Sequence, residues 1–263
     1  MVEPHVSDPY PDVVARFYDA VYAHVRDGVD NTYYLERMAA AGGRVLEIGC
    51  GTGRLLREAL ARGTDAWGID VSPSMVARCR EQLPAEDQGR VSAADAVSMR
   101  LDRRFAAIVA PFRVLSHVVG IEDQLRLLDN VHDHLVPGGR FLFDLYVPNL
   151  RMLADGIPEQ CDFDGEHAPG RRLRRFVSAR SDVVRQLTSV HMDFVWDEDD
   201  GERRAAWDFE MRFFFRWEIE HLVARSKLRL ESIDGDFAGG ALGPDSREFV
   251  VACRRPDSPI IAE

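Results

Sequence analysis

Apolar residues recur at mostly three- and four-residue spacing through Val13, Val14, Phe17, Val21, Tyr22 and Val25, then at Tyr33, Tyr34, Leu35 and Met38. This is the period of a buried helix face, so the spacing predicts two helices across 11–40, broken by Ala41-Gly42-Gly43. The pattern then changes to short apolar runs separated by helical stretches. Strands are predicted at 45–48, 64–70, weakly at 90–93, at 105–110 and at 140–146. Between them fall helices at 54–61, at 72–80 with Ser72 as cap ahead of Pro73, and at 121–135 with Leu125, Leu128, Val131 and Leu135 on one stripe. Phe105 to Ala110 is wholly apolar, as expected of a strand covered on both faces. Alternation of strand and helix predicts a parallel sheet with right-handed crossovers, an α/β fold.

Beyond Asn149 the period changes again. Pro158, Asp162, Asp164, Pro169 and Gly170 predict an irregular connector over 150–171, with room for a short helix at 150–155. Three stretches, 173–181, 185–196 and 205–216, carry antiparallel-type patterning. In the last, Phe209, Met211, Phe213 and Phe215 share one parity against Glu210, Arg212, Phe214 and Arg216. Helical spacing returns over 217–226, and 228–237 with 248–254 would complete the main sheet. The expected division is a helical and α/β part over 1–149, an antiparallel insertion over 150–216 and a completion of the first sheet over 217–263.

The most informative segment is Val45-Leu46-Glu47-Ile48-Gly49-Cys50-Gly51-Thr52-Gly53-Arg54. A strand runs into glycines at alternate positions and then into a helix, which lets a ligand lie where a side chain would obstruct it. Asp70, seventeen residues beyond Gly53 at the end of the next strand, can accept both hydroxyls of a ribose. The spacing is G-x-G-x-G rather than the dinucleotide G-x-G-x-x-G, which points to a nucleoside rather than a pyrophosphate. On these residues the chain resembles the class I S-adenosylmethionine-dependent methyltransferases. Pro137-Gly138-Gly139, Phe143 to Asn149 and Gly235-Asp236-Phe237 through Asp245-Ser246 resemble a bacterial small-molecule subgroup of that family.

The resemblance implies a Rossmann-like seven-stranded sheet, an antiparallel β lid inserted after the fifth strand, and S-adenosyl-L-methionine as cofactor. It implies that Gly49, Gly51 and Gly53 approach the cofactor, that Glu47 lies near its methionyl end and that Asp70 takes the ribose. Val71, Asp95 and Ala96 are implied at the adenine, with a helix or turn cap as the alternative for Asp95. Phe17-Tyr18-Asp19 with Tyr22 resembles a segment that closes over the donor. Tyr18 is then a cofactor or methyl-steering residue, with a packed helix-face aromatic as the alternative. Phe112, at the end of the fourth strand, would pack on cofactor or substrate. His117 is the candidate general base, set against a structural histidine. Tyr22, Tyr146, Asn149 and Arg212 are candidate acceptor contacts, with ordinary sheet packing as the other account of Arg212.

Bulk properties narrow the function. The 263 residues are 46% hydrophobic, enough to bury roughly 75% of the extended surface. The formal charge of −11 disfavours a nucleic-acid or anionic-membrane partner, which would need a broad basic face. Arg171, Arg172, Arg174 and Arg175 form the densest basic cluster, read either as a solvated stretch or as a contact for an anionic group. Four cysteines without a C-x-x-C pair argue against zinc or a disulfide framework. With no long apolar span or signal-like start, the expectation is a soluble cytoplasmic protein, monomer or homodimer. Methyl transfer from a sulfonium needs alignment and exclusion of water, with neither metal nor covalent nucleophile. The expected reaction is methylation of N or O on a small organic metabolite. The alternatives are an RNA or protein methyltransferase and a non-catalytic binder of S-adenosylmethionine or S-adenosylhomocysteine.

Overall fold

The structure is a computed structural model that describes residues 10–25 and 28–257. Two helices, α1 (Asp12–Val25) and α2 (Val29–Ala40), lead into β1 (Val45–Ile48), α3 (Arg54–Ala61), β2 (Ala66–Asp70), α4 (Pro73–Glu81), β3 (Val91–Ala93) and β4 (Phe105–Ala110). Then follow α5 (Ile121–His134), β5 (Leu135–Tyr146) and α6 (Leu150–Asp155). Four long strands, β6 (Ile157–Ala168), β7 (Arg171–Asp182), β8 (Leu187–Glu198) and β9 (Gly201–Arg212), precede α7 (Arg216–Ala224), β10 (Arg229–Asp234) and β11 (Glu248–Arg254).

The main sheet has the order β10-β11-β5-β4-β1-β2-β3. β1 to β5 pair in parallel, with Val45 opposite both Ala66 and Ala107, and β11 lies antiparallel between β5 and β10. Successive residues of the central strands serve opposite faces. Leu46, Ile108 and Phe141 pack with Leu127, Leu128 and Val131 of α5, while Val45, Ala107 and Leu142 pack with Tyr34 and Leu35 of α2 and Leu55 and Leu56 of α3. Both faces are covered, which is why these strands read as unbroken apolar runs.

Strand order reverses between β1 and β4, with β2 and β3 added on one side and β4 and β5 on the other, so the carboxyl ends of these neighbouring parallel strands open a crevice. The second sheet, β6-β7-β8-β9, is a run of antiparallel hairpins. Phe163, Leu173, Phe194 and Trp207 on one of its faces pack with Val14, Phe17 and Val21 of α1. That helix thus joins the inserted sheet to the crevice. The α/β class, the seven-stranded sheet and the antiparallel insertion follow the sequence reading.

Three local expectations change. The connector expected over 150–171 contains a complete strand, β6, so the insertion has four strands rather than three. Its Pro158 falls within a register shift against β7, between Ile157 and Gln160. β9 ends at Arg212, so Phe213, Phe214 and Phe215 do not continue its alternation. Phe213 and Phe214 are buried, Phe214 within the core of the main sheet, whereas Phe215 is the exposed residue preceding α7. Finally, strand geometry extends back through Pro137-Gly138-Gly139, with Gly138 at φ 75° marking the bend.

One buried polar contact ties α2 to the sheet. Tyr34, fully buried, donates its phenol to Asp144 Oδ1 at 2.7 Å, and burial beside that carboxylate raises the phenol's pKa. Removing the hydroxyl leaves a buried carboxylate with one donor fewer. Tyr34→Phe is expected to lower unfolding free energy by about 1–3 kcal/mol, seen as a lower urea midpoint with unchanged slope.

Candidate active site

The site is built outward from the turn that ends β1. Gly49, Gly51 and Gly53 have φ of 70°, 55° and 88°, a region that side chains rarely adopt. At Gly53, which caps α3, a Cβ would lie 2.5 Å from the sulfur of Cys79, so the glycine also lets α3 pack on α4. At Gly51 the nearest atom to an added Cβ is a ring carbon of Tyr18 at 4.0 Å. The backbone there faces open space roofed by an aromatic ring, which suits a planar or ribose-like ligand lying along it.

Asp70 ends β2 with both carboxylate oxygens oriented. Oδ2 accepts from Gly51 N at 2.8 Å and Oδ1 from Ser72 N at 2.9 Å. Burial raises its pKa while these two amides pull it down. Each oxygen keeps a lone pair for a further donor, the arrangement that a pair of ribose hydroxyls requires.

A cleft of about 1150 Å³ lies above this turn. It exceeds the roughly 300–1,000 Å³ of ordinary small-ligand sites, leaving room for two molecules side by side. Tyr18, Gly49, Gly51, Asp70, Val71, Asp95, Ala96, Phe112 and His117 all line it. Val71 is 45% exposed there, an apolar surface available to a ligand. Asp95 also accepts from Val97 N at 2.9 Å, so the turn-capping role and the cleft position hold together. Asp102, by contrast, lies away from this cleft and pairs with Arg103.

Six of the sequence candidates do not line the cleft. Gly53 caps α3, and Glu47 is buried behind the turn, with its pKa raised by burial and lowered in part by Arg54. Tyr22 stands one layer back, stacked on Tyr18 at 5.6 Å and edge-on to Phe112 at 4.9 Å. Tyr146 lies under the Arg113 guanidinium at 5.0 Å. Asn149 caps α6 by accepting from Arg151 N and Met152 N. Arg212 donates from Nε to the Val119 carbonyl at 2.8 Å, clamping the edge of the inserted sheet to the loop after β4. That loop faces the cleft through Val118, Val119 and Gly120, so the arginine shapes the wall from behind.

Other lining residues escaped sequence reading. Tyr10, Trp207, Asp208 and the 118–120 backbone carry no motif. Only the alternation within 205–216 hinted that Trp207 and Phe209 would share a face. Tyr10 and His117 meet through Tyr10 Oη and His117 Nε2 at 3.1 Å. Trp207 lies 4.7 Å from the Tyr10 ring and Phe209 lies 5.6 Å from His117. Set among rings, the imidazole has its pKa lowered to about 4 by burial, so it is neutral at physiological pH. Burial also raises the pKa of Tyr10 and Tyr18, which keeps both phenols protonated.

The end of β4 is held in an unusual conformation. Phe112 and Arg113 are consecutive non-glycine residues at φ 61° and 64°, each costing on the order of 1 kcal/mol or more. The fully buried Asp144 compensates by accepting from Phe112 N at 2.7 Å, on the oxygen that also takes the Tyr34 hydroxyl. This turn directs Phe112 to the cleft and Arg113 toward Glu248, 3.2 Å away.

Helix α1 is fastened over the glycine turn by side chains. Asp19 accepts from Thr52 Oγ1 at 2.5 Å and from Gln82 Nε2 at 3.0 Å. Ser72 and Ser74, at the start of α4, donate to the Tyr10 carbonyl and to Asp12. The Phe17-Tyr18-Asp19 segment thus closes over the turn with Asp19 as the fastener and Tyr18 as the roof.

The basic cluster on β7 is neutralised in place. Arg171 pairs with Glu198 and Asp199, Arg172 with Asp164, Arg174 with Glu202 and Arg175 with Asp162. Every guanidinium of the cluster is thus already matched by a carboxylate, and Arg175 is largely withdrawn from solvent. Arg180, further along β7, lines the cleft and has no such ion pair. Among the described residues no group of three or more His, Cys, Asp or Glu side chains is placed to hold a metal ion, and no helix is long and apolar enough to cross a membrane.

Comparison with known proteins agrees with this geometry. Residues 46–141 match the family described as "Methyltransferase domain". An N,N-dimethyltransferase of dTDP-3-amino-3,4,6-trideoxy-alpha-D-glucopyranose from Streptomyces venezuelae is 26% identical over 75% of this chain and 80% of its own length. A putative methyltransferase of Bacillus subtilis is 25% identical over 78% of this chain and 81% of its own. Among solved structures, a S-adenosylmethionine-dependent methyltransferase from Clostridium acetobutylicum superposes with TM-score 0.75 at 18% identity, covering 91% of this chain and 96% of that one. The CcbJ methyltransferase of Streptomyces caelestis gives 0.74 at 21% identity, covering 95% and 99%. With the glycine turn, the Asp70 carboxylate and the β3-β2-β1-β4-β5-β11-β10 order already in place, these matches support a class I S-adenosylmethionine-dependent methyltransferase, its methyltransferase domain matched over residues 46–141.

Proposed function

We propose that the protein methylates the amine nitrogen of a small, hydroxyl-bearing acceptor of the amino-sugar class. The observation that carries this reading is the Tyr10–His117 pair. A hydroxyl acceptor must lose its proton as it attacks, which calls for a base matched to neutral pH. His117, which faces this part of the cleft beyond β4, has its pKa lowered to about 4, and the neighbouring phenols are held protonated; His191, which lines the cleft from the inserted sheet, is paired with Asp193 and Asp208, which raise its pKa. An amine that arrives neutral needs no such base, because its lone pair is already available.

When bound, the cofactor would supply an electrophilic methyl group on a sulfonium, whose methyl–sulfur electron pair would be left on sulfur. The chain's own residues do the rest. Asp70 and Gly51 position the nucleoside, and Tyr18 roofs the turn. Phe112, Trp207 and Phe209 line the cleft with apolar surface and exclude water. The Tyr10–His117 pair orients the acceptor by hydrogen bonding, and the proton on the product ammonium passes to solvent. Catalysis on this reading is alignment rather than proton abstraction.

The acceptor end of the cleft is lined by Ser178, Arg180, Ser189, Asp208 and Glu210 of the inserted sheet, a set suited to hydroxyls with one cation for an anionic substituent. Relatives support the class. Besides the Streptomyces venezuelae enzyme, the structural neighbours include an amino pentose methyltransferase and a sugar N-methyltransferase.

Two outcomes are expected. With methyl-labelled cofactor and paired acceptors that differ only in bearing an amine or a hydroxyl, label should enter the amine. Asp70→Asn should cut cofactor affinity about 10- to 100-fold. Equal labelling of the hydroxyl analogue, or label confined to RNA or protein, would refute the assignment.

The second expectation concerns stability. The His117 pKa is depressed on folding, so between about pH 6.5 and 4 the unfolded chain binds a proton that the native site refuses. The associated stability is fully present above about pH 6.5 and is lost as pH falls toward 4. Urea titrations at pH 7.5 and 4.5 should show wild type losing about 1–3 kcal/mol more than His117→Asn, the range allowing for residual exposure of the ring.

A further inference from the structure

Residues 111–120 carry the chain from β4 to α5 and bring His117 to the cleft. The first half of this segment is held by the core. Leu115 and Ser116 are buried, Ser116 N donates to the Arg113 carbonyl at 2.9 Å, and Val118 N donates to that of Leu115 at 3.1 Å. The second half lines the cleft, with Val118, Val119 and Gly120 at the wall. Such a stretch belongs to no sheet, so no ladder fixes its backbone groups. Each of its last three carbonyls nevertheless has a named donor.

Two of those donors belong to Gln124 of α5. Its side-chain Nε2 donates to Val118 O at 2.7 Å and its backbone N to Gly120 O at 3.0 Å. The side chain is 2% exposed, in the same stretch of helix as the core residues Leu127 and Leu128. An apolar residue would bury there as readily, but it would leave the Val118 carbonyl without this donor. The third donor is Arg212, whose Nε meets Val119 O at 2.8 Å. Elsewhere on the inserted sheet Arg175, Arg185 and Arg204 each meet a carboxylate, whereas Arg212, ending β9, reaches a backbone carbonyl. The same strand sets the Phe209 ring 5.6 Å from the imidazole. The backbone that follows His117 is thus gripped from α5 and from β9 together.

We infer that Gln124 and Arg212 are positioning residues for methyl transfer, which fix the His117 imidazole against the acceptor space by holding the carbonyls of Val118 and Val119. Neither side chain lines the cleft, so each acts through His117 rather than on a ligand. The inference rests on the acceptor-orienting role proposed for His117 and names what holds that side chain in place. A group that aligns reactants tolerates little drift, since a misplacement of about 1 Å can cost about 100-fold in rate.

The test reads the imidazole directly, by NMR of the full chain labelled at the histidine nitrogens, with the His117 signal identified by its loss in His117→Asn. In wild type it should titrate near pH 4, because burial depresses it; Tyr10 beside it stays protonated, and the Phe209 ring carries no charge. Gln124→Met and Arg212→Met each remove one grip while keeping an unbranched side chain. Each should admit water to the ring and raise its midpoint by about one unit or more, toward about 6.5. Arg212→Lys, which can still donate to a carbonyl, should fall between. S-adenosylhomocysteine affinity, measured by calorimetry, should change less than about threefold and reports that a variant is folded. With the amine acceptor that wild type labels, kcat/KM should fall about 10- to 100-fold. An imidazole unmoved in both Met variants would overturn the inference and leave the His117 reading standing. A comparable loss of S-adenosylhomocysteine binding would mean a general structural role and overturn it too. An imidazole that moves while transfer to the amine is unchanged would bring down the orienting role of His117, and the inference with it.

Discussion

Much of the site depends on the carboxylate of Asp70 accepting two backbone amides at once. By taking Gly51 N and Ser72 N it joins the turn after β1 to the start of α4 across the mouth of two parallel strands. Glycine's positive φ at 51 brings that amide within reach, and burial strengthens both bonds by excluding competing water. The part of the cleft above the glycine turn is therefore pre-shaped by backbone. That is the economical way to hold a ligand whose shape never varies between turnovers.

Around this fixed half the chain arranges adjustable parts. Asp19 and the serines of α4 fasten α1 over the turn with side-chain hydrogen bonds, and the strained Phe112–Arg113 turn is held by a buried carboxylate shared with Tyr34. Strain of that kind persists only where the surroundings over-determine it. Here the over-determination comes from one face of the main sheet, where Tyr34 of α2 meets Asp144 of β5.

Legibility in the sequence followed the same division. β1, the glycine turn, α3 and Asp70 are contiguous or nearly so, and each obeys a local rule of period, φ or capping, so their places were readable. Ser72 caps α4 through Met75 N, as its position before Pro73 implied. Arg212 was misplaced because parity along a strand gives a face but cannot reveal that an edge residue will reach across to the Val119 carbonyl. β6 was hidden by Pro158, Asp162 and Asp164, which signal a loop locally, while the long register with β7 outweighs them. Tyr10 and His117 stand 107 positions apart and meet only after the whole fold has closed. No periodicity encodes such a contact.

The inserted sheet has a topological property with a further result. It leaves the main sheet after β5 and returns before α7, and its strands pair only with sequence neighbours through hairpins. A hairpin can lengthen, shorten or change its facing residues without altering a single register position among β1 to β5, where the cofactor half is set. On the proposed function, the insertion's share of the acceptor contacts is thus written apart from the glycine turn. Changes in the insertion alone that spare Arg212 would then reshape one wall of the acceptor space while Tyr10, His117 and the donor chemistry stay as they are.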